Sequence, residues 1–150
     1  MASPARPLSI ALVGTRPARR WQANFAEALR RDGHSVATQY ETPAAARSRG
    51  VELLLELERL AYGAQSLAFA REDIPDEAPQ SSSDLTIDLR ERPTDDGNIV
   101  TLVPLFDGAP GEAALIAAML EQRAPEITIA RWGTEPQIVA RGLPALENRS

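Results

Sequence analysis

The chemistry open to this chain is set by a short list of side chains. It has no Cys and no Lys, and its one His is His34. Without Cys there is no thiolate nucleophile, no disulfide frame and no Cys-ligated zinc or iron–sulfur centre. Without Lys there is no Schiff base and no P-loop lysine. A single His leaves no His pair to hold a metal, and any Ser–His site would have to run through His34. The expectation is therefore a chain with no metal site and no cofactor. Carboxylates and guanidinium groups remain. The most distinctive cluster is Asp107-Gly108-Ala109-Pro110-Gly111-Glu112, in which Gly108 and Gly111 permit positive φ and close backbone approach, and Glu112 stands at a helix start. Asp107 and Glu112 read either as ligand-binding or acid/base groups, or as the residues of a structural turn.

Thr15-Arg16-Pro17, with Arg19 and Arg20 close behind, forms a second cluster. Placed between a strand and a helix, it suits a phosphate or carboxylate bound at the helix N-terminus. It lacks both G-x-G-x-x-G and G-K-[ST], and its plainer reading is a solvated basic helix end. Asp84 and Asp88 lie on one face of an alternating strand, where they serve a ligand or solubilise the strand end. Trp132, near a turn, either stacks on a sugar or caps the edge of the core. His34 follows Gly33 at a strand start and reads as structural.

The elements that would position these groups follow from hydrophobic patterning. Residues 8–14 (LSIALVG) form a continuous apolar run, the pattern of a strand buried on both faces. Residues 18–31 turn helical, with Trp21, Phe25, Ala28 and Leu29 as an apolar stripe, and Asp32-Gly33 ends that helix with Gly at C′. Residues 34–40 read as a second strand, which completes a β-α-β unit with a right-handed crossover. Thr42-Pro43 opens a second helix, strongest over residues 51–62 (VELLLELERLAY), whose leucines are a core face or a partner-binding surface. Residues 72–83 are acidic, with Pro and Ser, and read as a mobile loop. Strands follow at 84–89 and 99–105, a helix at 112–122, and strands at 126–131 and 137–141 joined as an antiparallel hairpin. The expected fold is one α/β domain over residues 1–150, with a three-layer, mostly parallel, Rossmann-like sheet and a C-terminal β-hairpin.

Bulk composition narrows the partners. The 150 residues carry 16 Arg and 21 acids, a net charge of -5, which weighs against nucleic acid. Residues 1–50 carry +5, residues 51–100 carry -8 and residues 101–150 carry -2. The basic charge thus sits in the first βα segment, where folds of this kind receive anionic ligands. No apolar run approaches the length of a membrane span, and the N-terminus lacks the apolar region and cleavage site of a signal peptide. A bacterial-type cytoplasmic location is the expectation.

Several stretches, in order and spacing, resemble the N-terminal domain of the formyltransferases, which move a formyl group from a folate donor to an amine. Residues 9–15 (SIALVGT) resemble that family's first strand and Gly turn. Residues 29–36 (LRRDGHSV) are similar to its Leu-x-x-x-Gly-His-x-Val. Residues 102–115 (LVPLFDGAPGEAAL) resemble its Leu-Leu-Pro-x-Tyr-x-Gly loop and the helix after it, and residues 126–140 resemble its last hairpin. The family's Asn-x-His would fall on Gly97 or Asn98 and on Ile99, and its Asp on Thr134 or Glu135. Formyl transfer needs a group to polarise the formyl carbonyl and an acid/base for the amine, and Ile99 supplies neither.

The resemblance therefore implies a formyltransferase-like scaffold without its catalytic set. The leading expectation is a non-catalytic binding or accessory module, with Thr15, Arg16, Arg19, Gly108 and Gly111 around a small anionic ligand. A protein partner or a fused catalytic domain would place it in a sugar- or lipid-modifying system. The alternative is a small-molecule transferase with an altered site around Asp107, Glu112 and Arg16.

Overall fold

A computed structural model describes residues 6–42, 71–78, 82–95 and 97–142. The leucine-rich helix expected over residues 51–62 lies outside the described residues, as does most of the stretch that leads into it.

The first apolar run is strand β1 (Ser9–Thr15), and it lies at the middle of the parallel part of the sheet. Its register sets two neighbours: β2 (Ser35–Glu41) pairs Ile10 with Val36 and Leu12 with Thr38, and β3 (Leu85–Asp88) pairs Ile10 with Leu85 and Leu12 with Ile87, both parallel. Strand β4 (Val100–Phe106) continues parallel to β3. On its other side β4 runs antiparallel to β6 (Ile127–Arg131), which forms the expected antiparallel hairpin with β7 (Gln137–Gly142). The order is β2-β1-β3-β4-β6-β7, with the short β5 (Ala109–Pro110) turned back onto the end of β4. The expectation of a mostly parallel sheet is corrected: the C-terminal half returns by hairpins and adds antiparallel pairs, so the sheet is mixed.

Helix α1 (Arg20–Arg31) closes the β1–β2 crossover. Its end is a full Schellman motif: Gly33 adopts φ 96°, its N–H donates to Arg30 O at 3.0 Å, and His34 N–H donates to Leu29 O at 3.1 Å. The buried line of the helix runs through Gln22 and Ala26, flanked by Trp21, Phe25 and Leu29, while Ala28 of the expected stripe is exposed. These side chains pack on Ile10, Leu12, Val36 and Ile87, which point to one face of the sheet. Helix α2 (Ala113–Leu120) lies beside α1 on the same face, since Ile116 packs against Trp21, and Trp21 meets Phe106 edge-on at 6.0 Å. On the opposite face Val103, Leu105 and Ala130 form a separate apolar cluster under Trp132. Among the described residues no helix is long and apolar enough to cross a membrane.

Pro104 stands within β4, in the stretch where the family resemblance implies a loop. The strand tolerates a residue without an N–H here because its parallel ladder to β3 ends at Leu102, two residues earlier.

Candidate functional site

The chain runs from β1 to β2 on one side and returns to β3 on the other, so the crevice between β1 and β3 at their C-terminal ends is the topological switch point of the parallel strands. The segments that follow the strands there build the candidate site. Thr15 ends β1, half-buried, with Glu41 as its register partner. Arg16 follows, and its N–H donates to Glu41 O at 2.7 Å. The Arg16 guanidinium lies over the Tyr40 ring at 5.9 Å, reaches Ile74 O at 3.4 Å and pairs with Asp76 at 3.1 Å. Gly14 makes this stacking possible, because a Cβ at that position would overlap the Tyr40 ring.

Tyr40 sits at the centre of the network. Its hydroxyl donates to Gln22 Oε1 at 3.0 Å, and its N–H donates to Asp76 Oδ1 at 2.8 Å. Burial pushes its hydroxyl pKa up to about 12; the charge of Arg16 opposes the shift and that of Glu112 adds to it. Gln22 also accepts the Arg19 N–H at 3.3 Å, a third-position glutamine closing back on the helix cap. Val36, Thr38 and Tyr40 alternate onto the buried face of β2, and nothing local in the sequence announces the partnership of Tyr40 with Gln22 and Asp76.

Arg19 is almost wholly buried, with its side chain 3% exposed, and donates from Nε and Nη2 to Glu112 Oε1 at 3.3 Å each. Its backbone forms an antiparallel bridge with Arg71, and Glu72 N–H donates to Ala18 O at 2.9 Å. The acidic segment is thereby drawn against the β1–α1 turn: Thr38 Oγ1 donates to Pro75 O at 2.7 Å, and Ile74 is buried beside Tyr40 and Ala18. Between the two segments lies an open cleft of about 590 Å3, lined by Arg16, Pro17, Ala18, Arg71, Glu72 and Asp73.

The Gly/Pro loop divides its residues. Asp107 and Gly108, at φ 51° and 82°, form the two-residue turn between β4 and β5, the backbone of a type I′ hairpin. Asp107 accepts the Glu126 N–H at 2.9 Å and pairs with Arg123 at 2.7 Å, and these contacts, Arg123 first, hold its carboxyl below the usual range. Gly111, at φ 83°, lies against the Glu91 backbone, and Glu112 turns inward to Arg19. Among the described residues no hydrogen bond or ion pair joins Arg16, Asp107 and Glu112 to one another; each has its own partner.

Asp88 and Arg90 are a functional-looking pair whose role the sequence pattern misses. Asp88, 1% exposed, accepts from Arg90 N, Nε and Nη2 and from Thr94 N at 2.7–3.2 Å. Arg90 continues to Glu41 at 2.7 Å, so the pair clamps the β3–β4 connection to the end of β2. Asp84 lies at the other end of β3, where its Oδ2 accepts the Ser9 N–H at 2.8 Å. His34 is also at that far end, with Nδ1 accepting the Leu8 N–H at 3.1 Å. Among the described residues no group of three His, Cys, Asp or Glu could hold a metal ion. Comparison of the chain with family models, curated proteins and solved structures finds no match.

Proposed function

We propose that this domain is a binding or accessory module built on a formyltransferase-like, Rossmann-like scaffold, without formyl-transfer chemistry of its own. The observation that carries this reading is the state of the groups a transfer would need. Asp107 is engaged by Arg123, Glu112 by Arg19, and the only imidazole is bonded to Leu8 N at the far end of the strands. A general acid/base must reach the proton it moves, and these groups are instead occupied in holding the loop and the helix cap. The strand order around β1 and the closing β6–β7 hairpin are compatible with the resemblance, while the Pro104 stretch departs from it as a strand.

The ligand of the module is a small anion, received in the cleft beside Arg16 and Arg71, whose guanidinium groups match carboxylate or phosphate geometry. The cleft lies at the end of the parallel strands where α/β sheets take their ligands. A catalytic domain, fused or separate, then supplies the chemistry in a sugar- or lipid-modifying system.

A thermal-shift series with a reduced formyl-folate and with nucleotide-sugars tests the reading. The expected result is a stabilising shift with a nucleotide-sugar, weakened by Arg16→Ala and Arg71→Ala, and no shift with the folate. A clear shift with the folate, or formyl transfer to any amine acceptor, overturns it.

A further inference from the structure

The other end of the sheet carries a second concavity. Where the β6–β7 turn meets the start of β4, a groove of about 400 Å3 is lined by Asp95, Asn98, Arg131, Trp132, Glu135 and Gln137, among others. Leu102 pairs with Arg131 there, and Trp132 N–H donates to Thr101 O at 2.8 Å, which places the groove at the N-terminal end of β4. The Arg16 cleft opens after the C-terminal end of β1, so the two concavities occupy opposite ends of the strands.

Trp132 is half-buried. Its side chain packs on the Val103, Leu105 and Ala130 cluster, and the residue lines the groove. Gly133 beside it has no side chain, and Asp95 comes close: its Oδ2 lies 3.6 Å from where a Cβ on Gly133 would stand. The other oxygen, Oδ1, accepts the Gly97 N–H at 3.0 Å and so fixes the carboxylate. Asp95, Arg131, Glu135 and Gln137 are exposed, and among the described residues Asp95, Arg131 and Glu135 form no ion pair. The C-terminal end differs, since Arg16, Arg19, Arg90 and Arg123 each hold a carboxylate there.

An anchored indole beside carboxylates, an amide and a guanidinium matches one ligand chemistry well. A pyranose has an apolar C–H face that lies on an indole, and a rim of hydroxyls that both donate and accept. Carboxylates accept hydrogen bonds from hydroxyls, a guanidinium donates to hydroxyl oxygens, and the amide does both. Two carboxylates against one guanidinium leave the groove net negative, which opposes phosphates and sugar acids. The volume falls in the range of small-molecule sites. We infer that this groove binds a neutral pyranose sugar. The inference goes beyond the proposed anion cleft and stands independently of it.

The test is a titration of the full chain with methyl glucoside, methyl galactoside and methyl mannoside, followed by nitrogen–proton correlation NMR. Glucuronate and a hexose phosphate serve as anionic counterparts. The expected result is a saturable shift of the Trp132 indole N–H and of backbone amides between Gly97 and Thr101 and between Gly133 and Gln137, with at least one neutral glycoside and with neither anion. Glu135→Ala removes an exposed side chain, and Asp95→Asn keeps an oxygen for the Gly97 N–H while removing the charge; each weakens that binding about tenfold. Absence of a saturable shift with all three glycosides overturns the inference. So do shifts that map away from the groove, tighter binding of the hexose phosphate, or unchanged affinity in both carboxylate variants.

Discussion

Glu112 accepts two hydrogen bonds on one oxygen from the guanidinium of Arg19, both at 3.3 Å, across 93 residues of chain. The pair ties the start of α2 to the cap of α1, and so fixes the two helices on one face of the sheet. Arg19 is an unusual residue for a helix cap, since its side chain lacks the short oxygen that caps usually offer. Gln22 takes over that task for the Arg19 N–H, which leaves the guanidinium to reach Glu112.

Removing Glu112 takes two charge-assisted hydrogen bonds from a guanidinium that lies almost wholly buried. Glu112→Ala is therefore expected to destabilise the fold by about 2 kcal/mol. Glu112→Gln keeps an acceptor and costs about half as much. Arg19→Met combined with Glu112→Ala costs less than the sum of the single changes, because the bonds between the two residues are lost in each single change and counted twice in the sum. Urea denaturation of the four variants measures all three quantities. Additive losses would show that the two residues act separately.

Two glycines of the same loop separate conformational strain from steric contact. Gly108, at φ 82°, has nothing within 4 Å of a would-be Cβ, so Gly108→Ala costs only the left-handed backbone, about 1 kcal/mol. Gly111, at φ 83°, would place a Cβ 2.6 Å from Glu91 Cγ and 2.9 Å from its Cα. The Cγ belongs to a flexible side chain that can move aside; the Cα is backbone and cannot without displacing the β3–β4 connection. Gly111→Ala is expected to cost about 3 kcal/mol, the strain plus the displacement. Thermal denaturation of both variants reads the difference, and equal losses would mean that the Glu91 contact is unimportant.

The β1–α1–β2 unit was readable because its signals are local. A continuous apolar run, a helical stripe and a glycine at the helix end each depend on a few neighbouring residues, and Gly33 took the role expected of it. The hairpin of β6 and β7 was readable for the same reason. Strand β5 was not, although Asp107-Gly108 is a strong hairpin signal, because only two residues pair after the turn and one of them is Pro110. The roles of Asp88 and Glu112 were hidden for a different reason. A carboxylate on an alternating strand looks the same in sequence whether it meets water or an arginine, and the arginine that captures Glu112 comes from a distant part of the chain. In the same way, positions in the sequence placed Arg16, Asp107 and Glu112 in one candidate site, while the fold supplies each with a separate partner.

Tyr40 makes stability depend on alkaline pH. Its folded-state pKa is raised from 10.0 to about 12, chiefly by burial. A raised tyrosine binds its proton more tightly when folded, so its contribution is fully present below the unfolded pKa. It is lost as pH rises from about 10 toward about 12, by up to about 3 kcal/mol. Denaturation at a series of alkaline pH values, with Tyr40→Phe as the control, is the measurement. The wild-type chain is expected to lose stability across that window, and the variant, which has no phenol there to ionise, to show a flatter curve. Parallel curves would place the titrating group elsewhere.

The Asp88 cluster and the Asp107–Arg123 pair are expected to part company under salt and acid. Asp88 is buried and accepts four hydrogen bonds, so Asp88→Ala leaves Arg90 and the Thr94 N–H without that acceptor and costs about 3 kcal/mol. That loss should change little with ionic strength, because buried pairs are poorly screened. The Asp107–Arg123 pair is in contact with solvent, so Arg123→Ala costs less than Asp88→Ala, and the loss shrinks further in high salt. The Asp107 carboxyl is held below its ordinary range by Arg123 and the Glu126 N–H. Its contribution is therefore present above the unfolded carboxylate pKa and disappears as pH falls through the lower folded value. Asp107→Asn, which keeps an oxygen for the Glu126 N–H and tolerates the positive φ, removes only the titrating charge. Its acid-unfolding curve is expected to be shallower than that of the wild-type chain. Curves of equal slope would assign the acid sensitivity to other carboxylates.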